Sequence, residues 1–162
     1  MKSAPKAPYE IWEHTADIGI VARGATLEEL FCNAAIGMFD IITGKAQRSP
    51  EVQESKSRES ASSVREEMRR EVALSARALD SLMVDWLSEL LYRFSAFRFL
   101  GVKYDIKVER KSGGWQVCGK VAGATYNRKK HGYGAEIKAV TYHMLEVKQE
   151  NEEWTARVLF DI

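Results

Sequence analysis

The sequence predicts an α+β fold: a two-layer domain whose mainly antiparallel sheet is covered on one face by two long helices. Two stretches repeat apolar residues at three- and four-residue steps, which is the pattern of a helix with one buried face. Other stretches alternate apolar and polar residues, which is the pattern of a half-buried strand. Short turn sequences join the later strands, and such turns favour antiparallel pairing.

Length and charge narrow the class of protein. The 162 residues form one domain, 1–162, and this length excludes large multidomain enzymes. The net charge is only 24 − 23 = +1, so any contact with RNA must be local. Two isolated cysteines fit a reducing cytoplasm, and no apolar run approaches the roughly 20 residues that span a bilayer. We therefore expect a cytoplasmic protein with no membrane partner.

The first part of the chain predicts two strands and a helix. Residues 9–12 and 18–22 are suited to strands, and a polar cluster at 13–17 interrupts them. Thr26 and Glu29 form a capping box, in which both side chains satisfy free backbone N–H groups at a helix start. The apolar stripe that follows carries this helix to about residue 42.

Residues 44–75 differ in composition from the rest of the chain. They contain seven Lys or Arg, six Glu, seven Ser and no aromatic residue. Such a stretch cannot form a core, so we expect an exposed, flexible insertion over 44–70. Glu and Arg alternate at helical spacing in 63–70, which predicts a helix there, and a short strand is expected near 71–76.

A second helix and a series of strands follow. Asp80 is the expected N-cap, with Leu79 and Val84 as a hydrophobic staple, and the helix should reach about residue 94. Alternation from residue 103, the turn 112–114 and the return over 115–121 predict a hairpin. A basic loop is expected over 123–134, and a long hairpin over 135–148 and 154–162. The buried stripe of the helix is Met83, Trp86, Leu87, Leu90, Leu91 and Phe94.

Acidic groups at strand ends are the residues best suited to chemistry. Asp17 begins an apolar strand, and Asp161 precedes Ile162, the last residue of the sequence, whose main-chain carboxylate adds a further negative group. Carboxylate oxygens brought together favour Ca²⁺, Mg²⁺ or Mn²⁺. An Asx turn at Asp17 and simple exposure of Asp161 are the structural alternatives. Lys138 would approach this cluster if its strand lay beside the last one, and His14 is a candidate ligand or base.

Four sequence motifs occur in order along the chain: His14-Thr15-Ala16-Asp17-Ile18-Gly19, Asp85-Trp86-Leu87-Ser88-Glu89-Leu90-Leu91-Tyr92, Glu136-Ile137-Lys138-Ala139-Val140-Thr141-Tyr142-His143 and the terminal Phe160-Asp161-Ile162. Together these motifs resemble the archease family. The resemblance covers about residues 9–43 and 71–162.

The resemblance implies a protein cofactor and not an enzyme. Archeases assist the RtcB-type tRNA-splicing ligase: they promote its guanylylation, restore its turnover and broaden its nucleotide use. An indirect contact with tRNA is compatible with this role, and direct contact with RNA is left open. The family's divalent metal site, with calcium first and magnesium or manganese as alternatives, maps onto Asp17, Asp161 and Ile162. Lys138 matches a family lysine implicated in activation, and His14 and Glu136 are further candidates for activating the partner.

Two other classes of function remain open. The chain could be a chaperone-like or RNA-binding adaptor of nucleic-acid-processing proteins, with residues 128–131 on phosphates and a purely structural metal. It could also be a metal-dependent phosphohydrolase. The insertion at 44–70 is longer than the family's usual connection, and it could extend the ligase interface or be inert.

Overall fold

The structure, a computed structural model, describes residues 7–13, 16–45 and 68–162. It has the predicted α+β fold, and every strand pairing in these ranges is antiparallel. The strands divide between two sheets and do not form one continuous sheet. Residues 46–67, which include most of the predicted insertion and five of the eight residues of its predicted helix, lie outside the described ranges.

The five-stranded sheet is built around the last strand of the chain. It has the order β1-β2-β8-β6, and β7 also pairs with β8. One edge of β8 therefore pairs with β2, while β6 and β7 follow one another along its other edge. The strands are β1 (Tyr9–Glu13), β2 (Asp17–Gly24), β6 (Ala139–Val140), β7 (Glu146–Glu150) and β8 (Glu153–Asp161).

The three-stranded sheet has the order β3-β5-β4. The predicted hairpin is present: β4 (Phe99–Lys111) turns at Gly113, whose φ is 85°, into β5 (Gly114–Thr125). β3 (Met68–Ala76) begins three residues earlier than expected. Residues 68–70 are therefore strand, and the prediction of a helix reaching residue 70 is wrong there. Pairing with β5 supplies a stabilisation that the helical charge spacing could not reveal.

The first helix, α1 (Leu27–Thr43), starts at the predicted capping box. The Thr26 hydroxyl accepts from the backbone N–H of Glu29 at 3.1 Å. The Glu29 carboxylate reaches back to the N–H of Ala25 at 3.2 Å, one residue before the cap. Gly44 ends the helix with a φ of 80°, in the left-handed region that glycine adopts without steric cost.

The second helix, α2 (Leu79–Phe97), does not have Asp80 as its N-cap, so that prediction is wrong. The N-cap is Ala78, which is extended and makes no side-chain cap, so Asp80 lies inside the first turn. There its carboxylate accepts from the N–H of Ser81 at 2.7 Å and faces the positive end of the helix dipole. The helix also continues three residues past the expected end, to a left-handed Arg98. The predicted buried stripe is confirmed, with Phe94 partly exposed.

Two predictions for the C-terminal third are wrong in detail. The basic loop expected over 123–134 contains a one-turn helix, α3 (Arg128–His131). The strand β5 continues to Thr125, so the first three residues of the expected loop belong to this strand. Residues 135–148 are not one strand, because only β6 and β7 are extended and residues 141–145 form a turn between them. The final turn at Asn151 and Glu152 is confirmed, with φ values of 51° and 64°.

The core lies between the two helices and the two sheets. On the helix-facing side, β2 contributes Ile20 and Ala22, and β8 contributes Ala156, Val158 and Phe160, all 0% exposed. α1 contacts both sheets and α2, so it joins the two halves of the molecule. No helix in the described ranges is both long and apolar enough to cross a membrane.

A partly buried pair of polar side chains ties β1 to α1. The Tyr9 hydroxyl donates to the Asp40 carboxylate at 2.6 Å. Burial raises the pKa of Asp40 above its ordinary value of 3.8, although the bond from Tyr9 and the charge of Lys45 oppose this shift. The folded protein therefore holds this proton more tightly than the unfolded chain does. The resulting stabilisation is complete below pH 3.8 and is lost as the pH rises through the folded-state pKa.

We expect Asp40→Asn to remove this part of the pH dependence. From about pH 4 upward, the free energy of unfolding of the wild type should fall relative to that of the variant. Urea denaturation between pH 4 and 7 measures the difference. Tyr9→Phe removes the donor that lowers the Asp40 pKa, so its stability should fall more steeply than that of the wild type. Parallel curves for all three proteins would contradict this account.

Candidate metal centre and partner surface

The structure brings the two predicted aspartates together at one end of the five-stranded sheet. Asp17 begins β2 and Asp161 ends β8, and the two residues are directly opposite in the antiparallel register. Directly opposite residues have Cβ atoms about 4.5–5.5 Å apart on the same face of the sheet. Asp17 is half-buried and Asp161 is exposed, so this pair of residues borders solvent at the end of the sheet.

The alternation of both strands places the carboxylates on the face away from the helices. Their even-numbered residues point into the core, so Asp17 and Asp161 point outward. Gly19 is close by on the same face. A Cβ there would lie 2.7 Å from Leu159 Cδ2 and 3.3 Å from Trp12 Cε3, so only glycine lets these two side chains pack this closely against β2.

The main chain of Lys138 reaches the same end of the sheet. Its N–H donates to the carbonyl of Asp161 at 2.7 Å, and Ala139 pairs with Asp161 in β6. The expectation that Lys138 would approach Asp161 if its strand lay beside β8 therefore holds for the backbone. The prediction that Lys138 itself lies in a strand is wrong, since β6 begins one residue later. Ile137 is buried, whereas Lys138 and Ala139 are exposed.

The remaining predicted residues are placed differently. His14 lies outside the described residues. Glu136 is exposed and lines a groove of about 280 Å³ together with Arg98 of the α2 C-terminus and Tyr133. No described contact joins Glu136 to the aspartates. Ile162 follows Asp161 directly and its residue surface is 43% exposed.

The donor set suits a hard divalent cation. In residues 7–13, 16–45 and 68–162, no three His, Cys, Asp or Glu side chains form a group that could hold a metal ion. Two carboxylates on one face supply part of such a site, and a main-chain carboxylate at Ile162 would supply a third group. Carboxylates offer only oxygen donors, and oxygen donors favour calcium, magnesium or manganese over zinc.

Exposed apolar side chains accompany the acidic end. Tyr142 and Met144 are 62% and 41% exposed on the turn between β6 and β7. Thr141 holds this turn against β8, since its N–H and its hydroxyl both donate to the carbonyl of Leu159 at 3.0 Å. Apolar groups held in place beside charged ones are typical of a protein-binding surface.

The basic segment has an aromatic partner that its sequence pattern did not predict. The guanidinium of Arg128 lies over the ring of Tyr133, 4.2 Å from its centroid. A spacing of five residues brings two side chains together in neither a helix nor a strand. Arg128 and Tyr133 come into contact because α3 makes only one turn and the chain then returns along the end of α1.

The chain matches known proteins along almost its whole length. The model of the Archease protein family (MTH1598/TM1083) matches residues 9–162. Protein archease of Methanosarcina acetivorans is 39% identical over 157 residues, which cover 95% of each chain. Protein archease of Pyrobaculum neutrophilum is 35% identical over 164 residues and covers both chains completely, at 100%.

Solved structures agree with this match. The solution structure of Methanobacterium thermoautotrophicum protein 1598 is 32% identical, with a TM-score of 0.74, and the match covers 96% of this chain and 99% of that one. The crystal structure of an archease from Thermotoga maritima, described as a possible chaperone, has a TM-score of 0.55 at 19% identity and shows the shared fold. The family model, the sequence relatives and the fold agree with the resemblance seen in the motifs: this chain belongs to the archease family.

Proposed function

We propose that this protein is a non-catalytic cofactor of an RtcB-type tRNA-splicing ligase in the cytoplasm. In this role it promotes guanylylation of the ligase, supports multiple turnover and broadens nucleotide use during tRNA splicing. The observation that carries the proposal is the pair Asp17 and Asp161, directly opposite on adjacent strands in a member of the archease family.

The proposed metal ligands are Asp17, Asp161 and the main-chain carboxylate of Ile162, with calcium as the first candidate ion. The pair of strands holds the two side chains in register, so little ordering is needed when the ion binds. A bound cation would neutralise the acidic end and offer positive charge to phosphate or carboxylate groups of the partner.

The proposed ligase surface combines this end with its neighbours. The exposed side chain of Lys138 would hold a nucleotide phosphate or an acidic group of the ligase. His14 and Glu136 are further candidates for contact with the partner. Tyr142 and Met144 would supply the apolar area that protein interfaces bury at their centre.

Guanylylation of the ligase tests the proposal. The assay uses labelled GTP and catalytic amounts of this protein under multiple-turnover conditions. We expect the wild type to stimulate guanylylation and Asp161→Asn to lower that stimulation on the order of a hundredfold, or about 2.7 kcal/mol. Asparagine keeps the shape of the side chain and removes only its charge.

The control is Glu109→Gln, which makes the same change of charge on an exposed residue of β4, in the other sheet. It should stimulate like the wild type. Equal stimulation by Asp161→Asn would remove the acidic end from the mechanism. If the wild type itself does not stimulate guanylylation, the proposed function is wrong and the chaperone-like or RNA-binding adaptor is the favoured alternative. Suppression of ligase aggregation is then the next measurement.

A further inference from the structure

The segment that contains α3 carries an unusual excess of positive charge. The sequence has no Asp or Glu between Glu109 and Glu136. Within that interval Arg128, Lys129 and Lys130 are consecutive and exposed, and none forms an ion pair with an acidic residue of the described ranges. Because the whole chain has a net charge of only +1, this excess is local.

Hydrogen bonds fix the backbone that presents these cations. The Asn127 side chain accepts from the N–H groups of Lys129 and Lys130 at 2.9 and 3.2 Å. The N–H of Asn127 donates to Nδ1 of His131 at 2.9 Å, and the hydroxyl of Tyr126 donates to the carbonyl of Gly132 at 2.5 Å. The turn is therefore ordered before any ligand arrives, which lowers the entropic cost of binding.

His131 contributes order and not charge. Burial, and then the charge of Lys130, lower the pKa of this imidazole below its ordinary value. Its Nδ1 already accepts a hydrogen bond, which a protonated Nδ1 cannot do. The neutral ring stacks on Tyr126 with a centroid distance of 5.9 Å. The ligand-binding charge is therefore that of the three preceding residues, and not of all four basic residues of α3.

An aromatic ring and a groove lie beside the cations. Tyr133 is 56% exposed, with the guanidinium of Arg128 over one face of its ring, 4.2 Å from the centroid. The groove of about 280 Å³ runs from Tyr133 to Arg98 and the C-terminal turn of α2. Arg98 is exposed and adds a fourth cation to the groove, and among the described residues that line it Glu136 is the one acidic side chain.

Cations beside an open aromatic face are the features with which proteins hold single-stranded nucleic acid. Lysine and arginine follow the phosphates, and a base stacks on the aromatic ring whatever its sequence. An acidic protein surface would satisfy the cations but would leave the exposed part of the Tyr133 ring, which Arg128 does not cover, without a stacking partner. The groove also adjoins the acidic end of the sheet, because Ile137 lines the groove and Lys138 hydrogen-bonds Asp161.

We propose that α3 and this groove form a binding site for single-stranded RNA. Phosphates contact Arg128, Lys129 and Lys130, and an unstacked base lies on Tyr133. The binding itself does not depend on the ligase. Its role, to hold an RNA end near the acidic end of this protein, rests on the function proposed above.

Fluorescence anisotropy with a labelled single-stranded RNA of about ten nucleotides tests the site, since single binding folds cover roughly 4–16 nucleotides. Lys129→Ala/Lys130→Ala should weaken binding roughly tenfold near 0.1 M salt and reduce the salt slope by about 1.4, the value for two phosphate contacts on a single strand. Neither lysine side chain has a described contact, so the variant should remain folded.

The matched control, Lys107→Ala/Lys111→Ala, removes the same charge from β4, where both lysines pair with Glu109. It should bind RNA like the wild type. Tyr133→Ala should weaken binding on the order of tenfold and Tyr133→Phe should not, because phenylalanine retains the ring for stacking. An equal loss in the control, or unchanged binding in both the lysine and the Tyr133→Ala variants, would overturn the site.

Guanylylation of the ligase without RNA separates this inference from the proposed function. Lys129→Ala/Lys130→Ala should stimulate that reaction like the wild type while it loses RNA binding. If the wild type fails to stimulate but RNA binding depends on α3 and Tyr133, the RNA site stands and the proposed function falls. If the lysine variant loses ligase binding and keeps RNA binding, the patch serves an acidic protein surface and the inference is wrong.

Discussion

Replacing Trp86 by alanine should lower the free energy of unfolding by about 3–5 kcal/mol, the usual cost of removing a large aromatic side chain from a core. Trp86 is 0% exposed. Its ring lies 6.3 Å from that of Phe31 on α1 and 6.0 Å from that of Tyr104 on β4. Its indole N–H donates to the Phe31 carbonyl at 2.9 Å. One side chain therefore joins both helices to the three-stranded sheet.

Two variants separate the sources of this loss. Trp86→Phe keeps a buried ring but removes the donor and part of the volume, so about 1–2 kcal/mol should be lost. Tyr92→Ala truncates an aromatic residue of the same helix that is 59% exposed, and no more than about 1 kcal/mol should be lost.

Urea denaturation followed by far-UV circular dichroism measures all three variants. This signal reports on the backbone, whereas tryptophan fluorescence would change with the substitution itself. The denaturant slope should stay constant if only the native packing has changed. Equal losses for Trp86→Ala and Tyr92→Ala would show that the Trp86 contacts do not join the two halves of the core.

Local patterns predicted the elements whose stabilisation is itself local. The capping box at Thr26 and Glu29 located the start of α1: the Thr26 bond is present, and Glu29 accepts from Ala25, one residue before the cap. The alternation in β4 and the glycine turn located the hairpin with β5. The positions of Asp17 and Asp161 at strand ends made a shared site possible, with an Asx turn and simple exposure as alternatives. The resemblance to the archease family was what assigned both residues to one site.

Tertiary hydrogen bonds decided the elements that the sequence misplaced. Residues 135–148 have the composition of a strand, but the N–H groups of Gly134 and Ala135 donate to the carbonyls of Ile42 and Ile41 at the end of α1. These donors cannot also enter a β-ladder, so the strand starts only at Ala139. The partners lie about ninety residues away in sequence, beyond the reach of any periodicity.

The N-cap of α2 shows the same limit. Asp80 is the best capping residue in its neighbourhood, yet Ala78 takes the position. β3 ends only two residues before it, so the helix starts where the strand delivers the chain. Asp80 still favours the helix from the first turn through the helix dipole. The capping preference of Asp80 therefore indicated the region in which α2 starts, whereas the end of β3 determined the residue at which it starts.

Calcium binding at the acidic end should reverse the sign of the effect of Asp161→Asn on stability. Without metal, Asp161 and Asp17 are close on one face and repel, so the variant should unfold at the same temperature as the wild type or slightly higher. With calcium at about 100 times its dissociation constant, the wild type should gain about 2.7 kcal/mol. The variant lacks a ligand and should gain far less.

Thermal unfolding with EDTA and across a calcium series measures this crossing. Glu109→Gln is the control, and its response to calcium should match that of the wild type. A Gly-Ser extension after Ile162 tests the third ligand separately, because it leaves both aspartates in place and moves the main-chain carboxylate away. Equal calcium shifts in the wild type and in Asp161→Asn would exclude Asp161 as a ligand. A loss confined to Asp161→Asn, with the extended chain responding like the wild type, would leave the cation site without Ile162.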